Sequence, residues 1–356
     1  MPARIRRPAP GLATALALVS AVLACMALGG CTAGSAPVSG RPALPAQWAP
    51  FRHVPGAVDL AGPRTDGSFT VAAAGRLLLL GRDGVLRPFA RGPGGYSTAT
   101  GPEPYIALTG DEPVPGRGCS FRRDTTYAIE PGPRPGVIQI GPQGRASRFA
   151  GLPGGVAPSG IAFDTTGRFG HRLLVTAGRH GATTLFGVDC RGRVTTIVTG
   201  GPAVEGGIAV APASFGRFGG DLIAPNETHG GVYAFQPGGR VVTVVESGLP
   251  SGGDIGVESA GFVPPGFGPG GTAYLADRFS AGNAHPGTNS ILRIQGADLA
   301  EAGVRPGDLL VATEGGAQTI AIRCGTPCTV RPIAQGPATA HGEGHIVVVA
   351  SGAPGG

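Results

Sequence analysis

Lysine is missing from all 356 residues, so the 28 basic side chains are all Arg. A primary amine is what the P-loop, Schiff-base enzymes and Ser-x-x-Lys hydrolases require, and those three classes are thereby excluded. Charge is thin throughout at 14% of residues, aromatics amount to 6%, and Trp occurs once, at Trp48. Neither G-x-S-x-G nor H-E-x-x-H is present, which removes the nucleophile elbow and the zincin helix. Gly266-Phe-Gly-Pro-Gly-Gly does satisfy G-x-G-x-x-G, but Pro interrupts it and no helical pattern follows, so it reads as a turn.

What the chain has in plenty is Gly, 66 residues, and Pro, 35, a share at which disorder has to be considered. The same chain is 41% hydrophobic with a mean hydropathy of +0.15, whereas disordered chains are poor in apolar residues and rich in charge. Gly and Pro therefore punctuate short buried segments, and long helices are excluded over most of the length.

Arg4, Arg6 and Arg7 precede an uncharged run from Gly11 to Gly30 that is too small-residue-rich for a membrane span and reads as the apolar core of a secretory signal. It closes on Leu28-Gly29-Gly30-Cys31, which resembles the bacterial lipobox; the resemblance implies a signal peptide over 1–30 and a lipid on Cys31. Residues 31–47 then form a tether of Ala, Gly, Pro and Ser, and residues 48–356 the folded part, anchored to the outer face of the cell membrane. The formal charge of +6 falls to +3 once the signal arginines leave, and no basic stripe for nucleic acid remains. Four cysteines stay in the folded part, an even number that in an exported chain points to two disulfides. Cys324 and Cys328 flank a Gly-Thr-Pro turn, which leaves Cys119 with Cys190.

Internal repetition sets the fold class. Gln143-Gly-Arg-Ala-Ser-Arg-Phe, Arg191-Gly-Arg-Val-Thr-Thr-Ile and Gly238-Gly-Arg-Val-Val-Thr-Val are each a turn followed by a short strand. Each leads to a small-residue strand, at Ser159-Gly-Ile-Ala-Phe, Gly206-Gly-Ile-Ala-Val and Ser259-Ala-Gly-Phe-Val, then to a Phe-Gly turn and an apolar strand beginning at Leu173, Asp221 or Thr272. A repeat of about 50 residues with four short strands is that of a β-propeller blade. First strands fall near residues 57, 105, 159, 207, 260 and 344, which predicts an all-β propeller of six four-stranded blades, closed by the C-terminal strand. A short helix is expected between Ala297 and Arg305, and because of it five or seven blades stay open; a β-sandwich is the other fold considered.

In a propeller, the loops entering first strands and those joining second to third strands open on one face. That face collects Glu103, Glu205, Asp254, Glu258 and Glu343 with Asp111, Glu112, Glu227, Asp277 and Glu314, and also His180, His229, His285 and His341. Like charges crowded at an axis repel, which a bound cation or cationic ligand relieves. In His341-Gly-Glu-Gly-His345 an extended chain would put His341, Glu343 and His345 on one side.

Glu205-Gly-Gly-Ile-Ala and Pro158-Ser-Gly-Ile-Ala-Phe-Asp resemble blade starts of the six-bladed NHL-repeat and gluconolactonase superfamily, over most of residues 100–280. The resemblance implies one divalent cation, calcium or another, at the axis, held by Glu103 or Glu205 with Asn226 or Asp277. Glu258 repeats the position of Glu205 and joins that set, while Glu227, Glu314, His180, His341 and Glu343 form the surrounding ligand-binding set. Two functions follow: a monomeric, lipid-anchored module binding a small ligand or a protein partner at this acidic face, or a metal-dependent hydrolase of lactones or related esters. A quinone-cofactor sugar dehydrogenase stands third, since no His and Arg constellation supports it.

Overall fold

A computed structural model describes residues 46–90, 103–110 and 113–352. The signal segment, Cys31, most of the tether, Asp111 and Glu112 lie outside the described residues. Among those described, no helix is long and apolar enough to cross a membrane.

The chain is all-β and propeller-like, built from blades of four antiparallel strands. Four blades are separate sheets formed in strict sequence order from inner to outer strand. They start at the inner strands Ala57–Ala61, Ile106–Leu108, Ala157–Phe163 and Ala209–Val210. Apart from a two-stranded hairpin of Pro113–Val114 with Cys119–Ser120, the remaining strands make one nine-stranded sheet in which a run of five strands and a run of four meet through a single parallel pair, Ala260 with His345. Inner strands carry small residues because they crowd the axis: a Cβ on Gly261 would lie 1.8 Å from the Ile346 carbonyl oxygen of the neighbouring run. Apolar faces of adjacent blades then interdigitate, as where Phe121, Tyr127, Phe149 and Phe163 pack ring against ring between the second and third sheets.

The pairing inside the nine-stranded sheet departs from the repeat read in the sequence. Thr272–Asp277 was expected to pair with the strand before it, Val257–Phe262, but that strand pairs with Leu309–Thr313. Thr272–Asp277 instead lies between Ser290–Gln295 and the C-terminal strand Gly342–Val349. The chain thus leaves one run for the other and returns through the short helix Gly296–Glu301, which lies in the stretch where a helix was expected. The exchange ties the last 100 residues together, because neither run is complete without strands from both sides of the helix.

The N-terminal strands finish both runs. Ala46–Gln47, inside the stretch read as tether, pairs in parallel with Cys328–Gln335, and Ala49–His53 pairs antiparallel with Ser290–Gln295. Trp48, 3% exposed, fixes these two strands by burying its ring and donating its indole N–H to Thr319 Oγ1 at 2.8 Å. Disulfides join Cys119 with Cys190 and Cys324 with Cys328.

Candidate functional site

The entry ends of the inner strands converge at one end of the axis and bring their acids together. Glu258 lies in Val257–Phe262, Glu343 in Gly342–Val349, and Glu314 follows Leu309–Thr313. Glu103 and Tyr105 precede Ile106–Leu108, Glu205 precedes Ala209–Val210, and Glu227 follows Leu222–Pro225. Glu258, Glu314, Glu343, Tyr105 and His341 are all buried.

The side chains form one continuous network. Glu205 meets Glu103, which pairs with Arg278. Arg278 Nη1 also donates to Glu343 Oε2 at 3.2 Å. Glu343 meets Glu258, Glu258 meets Glu314, and Glu314 meets Glu227. His341 Nε2 lies 3.1 Å from Glu314 Oε1 and 3.9 Å from Glu343 Oε2. Six carboxyl groups therefore face one guanidinium and one imidazole, and in a low-dielectric setting they cannot all stay ionised unless cations are supplied.

Protons supply part of the balance. The Tyr105 hydroxyl lies 2.5 Å from both Glu258 Oε1 and Glu343 Oε1. A phenol has one proton to donate, so one of the two carboxyls must itself be protonated and donate back to the phenol oxygen. Burial, followed by repulsion from Glu343 and Glu314, holds Glu258 well above the ordinary carboxylate range. Burial pushes Glu343 up to about 7. Glu205 rises to about 8 through burial and the charge of Glu103, and Glu227 to about 8 through burial and its contact with Glu314. Glu314 alone is lowered: its hydrogen bonds to His341, Glu258 and Glu227 outweigh the cost of burial. His341 is raised, the pairing with Glu314 outweighing desolvation.

The residues also fit a divalent ion. Glu314, His341 and Glu343 each offer one ligand atom, and these atoms lie within 4.8 Å of one another. Glu314 Oε2 is buried with no hydrogen-bond partner, a want that a bound ion would answer; the unpartnered His341 Nδ1 lies across the ring from the Nε2 that faces Glu314 and Glu343. One imidazole nitrogen with two or more carboxylates suits Mn²⁺ or Zn²⁺ better than Ca²⁺, which takes six to eight oxygens.

The sequence-derived metal set distributes differently. Glu103, Glu205 and Glu258 are in the network, as are Glu227, Glu314, His341 and Glu343 from the ligand-binding set. Asn226 and Asp277 are not free to ligate. Asn226 donates to the Ala203 carbonyl at 2.5 Å and accepts from the His229 N–H at 2.6 Å, closing its own loop. Asp277 accepts from the Thr288 N–H at 3.0 Å, from the Thr288 hydroxyl, and from the His341 N–H at 2.8 Å, so it positions the start of the last strand. His180 is exposed in a hairpin turn with φ 51°, apart from the network.

His345 does not share a side with His341 and Glu343. Gly344 takes φ 67°, in a strand whose register against Thr272–Asp277 shifts, and this breaks the alternation an extended chain would keep. The His345 ring turns into the channel wall, with Nδ1 2.9 Å from Asp59 Oδ2 and Nε2 3.0 Å from the Ile161 carbonyl. Asp59 also accepts the backbone N–H groups of Leu60, Ile106 and His345. With acceptors facing both ring nitrogens, the geometry suits the imidazolium; burial opposes it, but Asp59 and the carbonyl contacts hold the His345 pKa above the ordinary imidazole value.

Tyr105, Arg278 and Asp59 were not singled out in the sequence. Tyr105 stands two residues after Glu103 and Arg278 directly after Asp277, so adjacency to predicted site residues was the available signal.

No family model and no curated protein matches this chain. Among solved structures it is similar to virginiamycin B lyase from Staphylococcus aureus, at 11% identity over 78% of this chain and 84% of that one, with a TM-score of 0.41. A gluconolactonase from Xanthomonas campestris aligns at 13% identity over 68% and 86%, TM-score 0.34. A protein described as a putative gluconolactonase aligns at 15% over 70% and 92%, also with TM-score 0.34. These likenesses are remote, and the chemistry of this chain has to be read from its own residues.

Proposed function

We propose that this protein is an exported, lipid-anchored propeller whose acidic face binds a divalent cation through Glu314, His341 and Glu343, and through it a small ligand or protein partner. In this reading the nine-stranded sheet counts as two blades of a six-bladed ring, the signal peptide spans 1–30, Cys31 carries the lipid, and the folded part is a monomer at the outer face of the cell membrane. The two disulfides agree with export, since such bonds persist in oxidising compartments. The observation that carries the cation site is the buried, unpartnered Glu314 Oε2 beside His341 and Glu343, within a network short of positive charge.

The test is calorimetric titration of the chelator-treated protein with Mn²⁺, Zn²⁺ and Ca²⁺, alongside melting. Saturable one-site binding, lost in Glu314→Gln and Glu343→Gln, is expected; heat without saturation, or binding untouched by both substitutions, overturns the site.

A hydrolase of lactones or related esters is the second reading, favoured by a pocket of about 190 Å³ beside the network, lined by Ser159, Thr183, Glu205 and Glu227. A bound ion would polarise an ester carbonyl. Glu205, with its pKa pushed up to about 8 by burial and Glu103, would be the general base, near the pH at which such a group works best. Turnover of a lactone panel that falls in Glu205→Gln while cation binding persists would establish it; no turnover leaves binding.

A further inference from the structure

The face opposite the acidic site is formed by the turns that join first to second and third to fourth strands, and from the second sheet to the fourth these turns are basic. Five of them carry the same dipeptide: Gly144-Arg145, Gly167-Arg168, Gly192-Arg193, Gly216-Arg217 and Gly239-Arg240. The Gly serves the turn; Gly192, with φ 76°, takes a conformation that other residues adopt with strain. The Arg that follows is exposed in all five turns, as is Arg191.

The acids of the same five turns are directed inward. Asp164, Asp189 and Asp221 are at most 2% exposed. Asp164 accepts the N–H groups of Thr166, Gly167, Phe169 and His171, Asp189 those of Arg191 and Arg193, and Asp221 the side-chain amide of Gln236. Arg168 and Arg193 come only to 3.7 and 3.6 Å from two of these carboxylates, and Arg217 lies over the Phe218 ring at 4.7 Å. Among the described residues, the ion pairs within 4.0 Å do not include Arg145, Arg191 or Arg240. Cations therefore stand outside and anions inside.

The turns also adjoin from sheet to sheet. A Cβ on Gly220 of the fourth sheet would meet the Arg168 side chain, one on Gly192 the Phe149 carbonyl of the second, and one on Gly239 the Ile197 carbonyl of the third. Under the first sheet and the nine-stranded sheet the same face is mixed, with Asp66, Asp83 and Glu301 exposed. The basic surface is thus a one-sided arc, gathered by the fold from arginines that stand one or two to a turn and form no run in the sequence.

We infer that this arc docks on an anionic lipid surface, its arginines pairing with the phosphates of the headgroups. Each Arg held near such a surface contributes about a fivefold gain in binding. A single-stranded nucleic acid would call for aromatic side chains on which bases stack, and the one exposed aromatic among the described residues, Phe279, lies in a loop of the acidic face. The path of the chain supports a lipid over a soluble polyanion. Cys328–Gln335 starts from a hairpin whose Cys324 carbonyl faces Gly216, and Ala46–Gln47 runs parallel to it, so the chain comes to Ala46 from the side of the arc. The fourteen residues between Cys31 and Ala46 span at most about 46–50 Å, against about 20 Å from Ala334 back to Cys328. A lipid on Cys31 is within reach of the plane of the arc, and this choice of partner rests on the anchored reading proposed above.

The chain from residue 31 onward, carrying Cys31→Ser so that no lipid can hold it, is mixed with vesicles of phosphatidylcholine alone or with phosphatidylglycerol added, and bound protein is read by co-sedimentation. Binding to the anionic vesicles is expected to be at least about tenfold tighter than to the neutral ones and to weaken as salt is raised. Arg145→Gln with Arg191→Gln and Arg240→Gln should weaken it by at least about tenfold. Arg52→Gln with Arg76→Gln and Arg179→Gln, which removes the same charge from exposed positions off this face, should change it by less than about twofold. Equal binding to both kinds of vesicle overturns the inference, as does equal weakening by the two triple variants. Binding to heparin with none to vesicles also overturns it and makes the partner a soluble polyanion. Labelling of the unaltered chain with a fatty acid tests the anchor separately, so loss of the anchor and loss of the docking face are told apart.

Discussion

Two buried acidic positions on the same axis, one strand layer apart, behave in opposite ways. At Asp59 every oxygen has a donor, three of them backbone N–H groups, and the charge is answered by the His345 imidazolium. At Glu258, Glu314 and Glu343 carboxyls meet carboxyls, Tyr105 shares one proton between two of them, and Glu314 Oε2 has no partner. A balanced buried pair is a fastener; an unbalanced one stores the capacity to take up a cation. Asp59 and His345 hold the first sheet, Ile106 of the second, Ile161 of the third and the C-terminal strand to one another, so the pair closes the ring where the chain ends meet.

The strongest way to break this contrast is to unbalance the fastener. Asp59→Asn leaves the imidazolium buried without its counter-charge, and a loss of about 3–5 kcal/mol is expected, measured by urea unfolding; a loss under about 1 kcal/mol would show that the pair is incidental. Removing both Cys119 and Cys190 as Ser is expected to cost about 2–5 kcal/mol, because a loop of 71 residues is opened in the unfolded chain. The upper network should respond with the other sign: Glu343→Gln, which relieves repulsion at Glu258, should leave metal-free stability unchanged or raise it by up to about 1 kcal/mol, read by melting without cation. A loss like that of Asp59→Asn would place Glu343 among the fasteners.

The pH dependence sharpens the same contrast. Raised carboxyl pKa values mean that the folded state holds protons the unfolded state has released. The stabilisation from Glu343, Glu205 and Glu227 is therefore full below about 4.5 and is lost as pH rises through about 7 to 8. A cation competes with those protons, so its affinity should increase from pH 6 to pH 8.5, with protons released on binding. Calorimetry in buffers of different ionisation heat reads that release; an affinity independent of pH would show that the carboxyls are ionised already. Tyr105→Phe is expected to cost about 1 kcal/mol in the same melting measurement, because the phenol hydrogen bonds are lost while the contact between Glu258 and Glu343 remains.

Much of the strand layout was legible because each turn is marked by Gly or Pro and each inner strand by small residues. The first strands near 57, 105, 159, 207, 260 and 344 all coincide with inner strands of the sheets. The face on which Glu103, Glu205, Glu227, Glu258, Glu314 and Glu343 gather was legible for the same reason, since loop position follows from strand order. Partner choice was not. Asn226 and Asp277 look like ligands by residue type, yet their oxygens are taken by local N–H groups, and His345 leaves the side of its neighbours because Gly344 turns the backbone. The exchange of strands between the two runs of the nine-stranded sheet was hidden too, because Thr272–Asp277 carries the same apolar pattern whichever inner strand it pairs with.

By itself the sequence determined a repeated all-β chain and the end of the axis where its acids collect, since these depend on spacing along the chain. Only the tertiary structure decided which carboxyls are neutralised and which are left wanting a cation. That depends on what approaches each oxygen from strands up to 286 residues away, and a buried charge is governed by such neighbours more than by its own position in the chain.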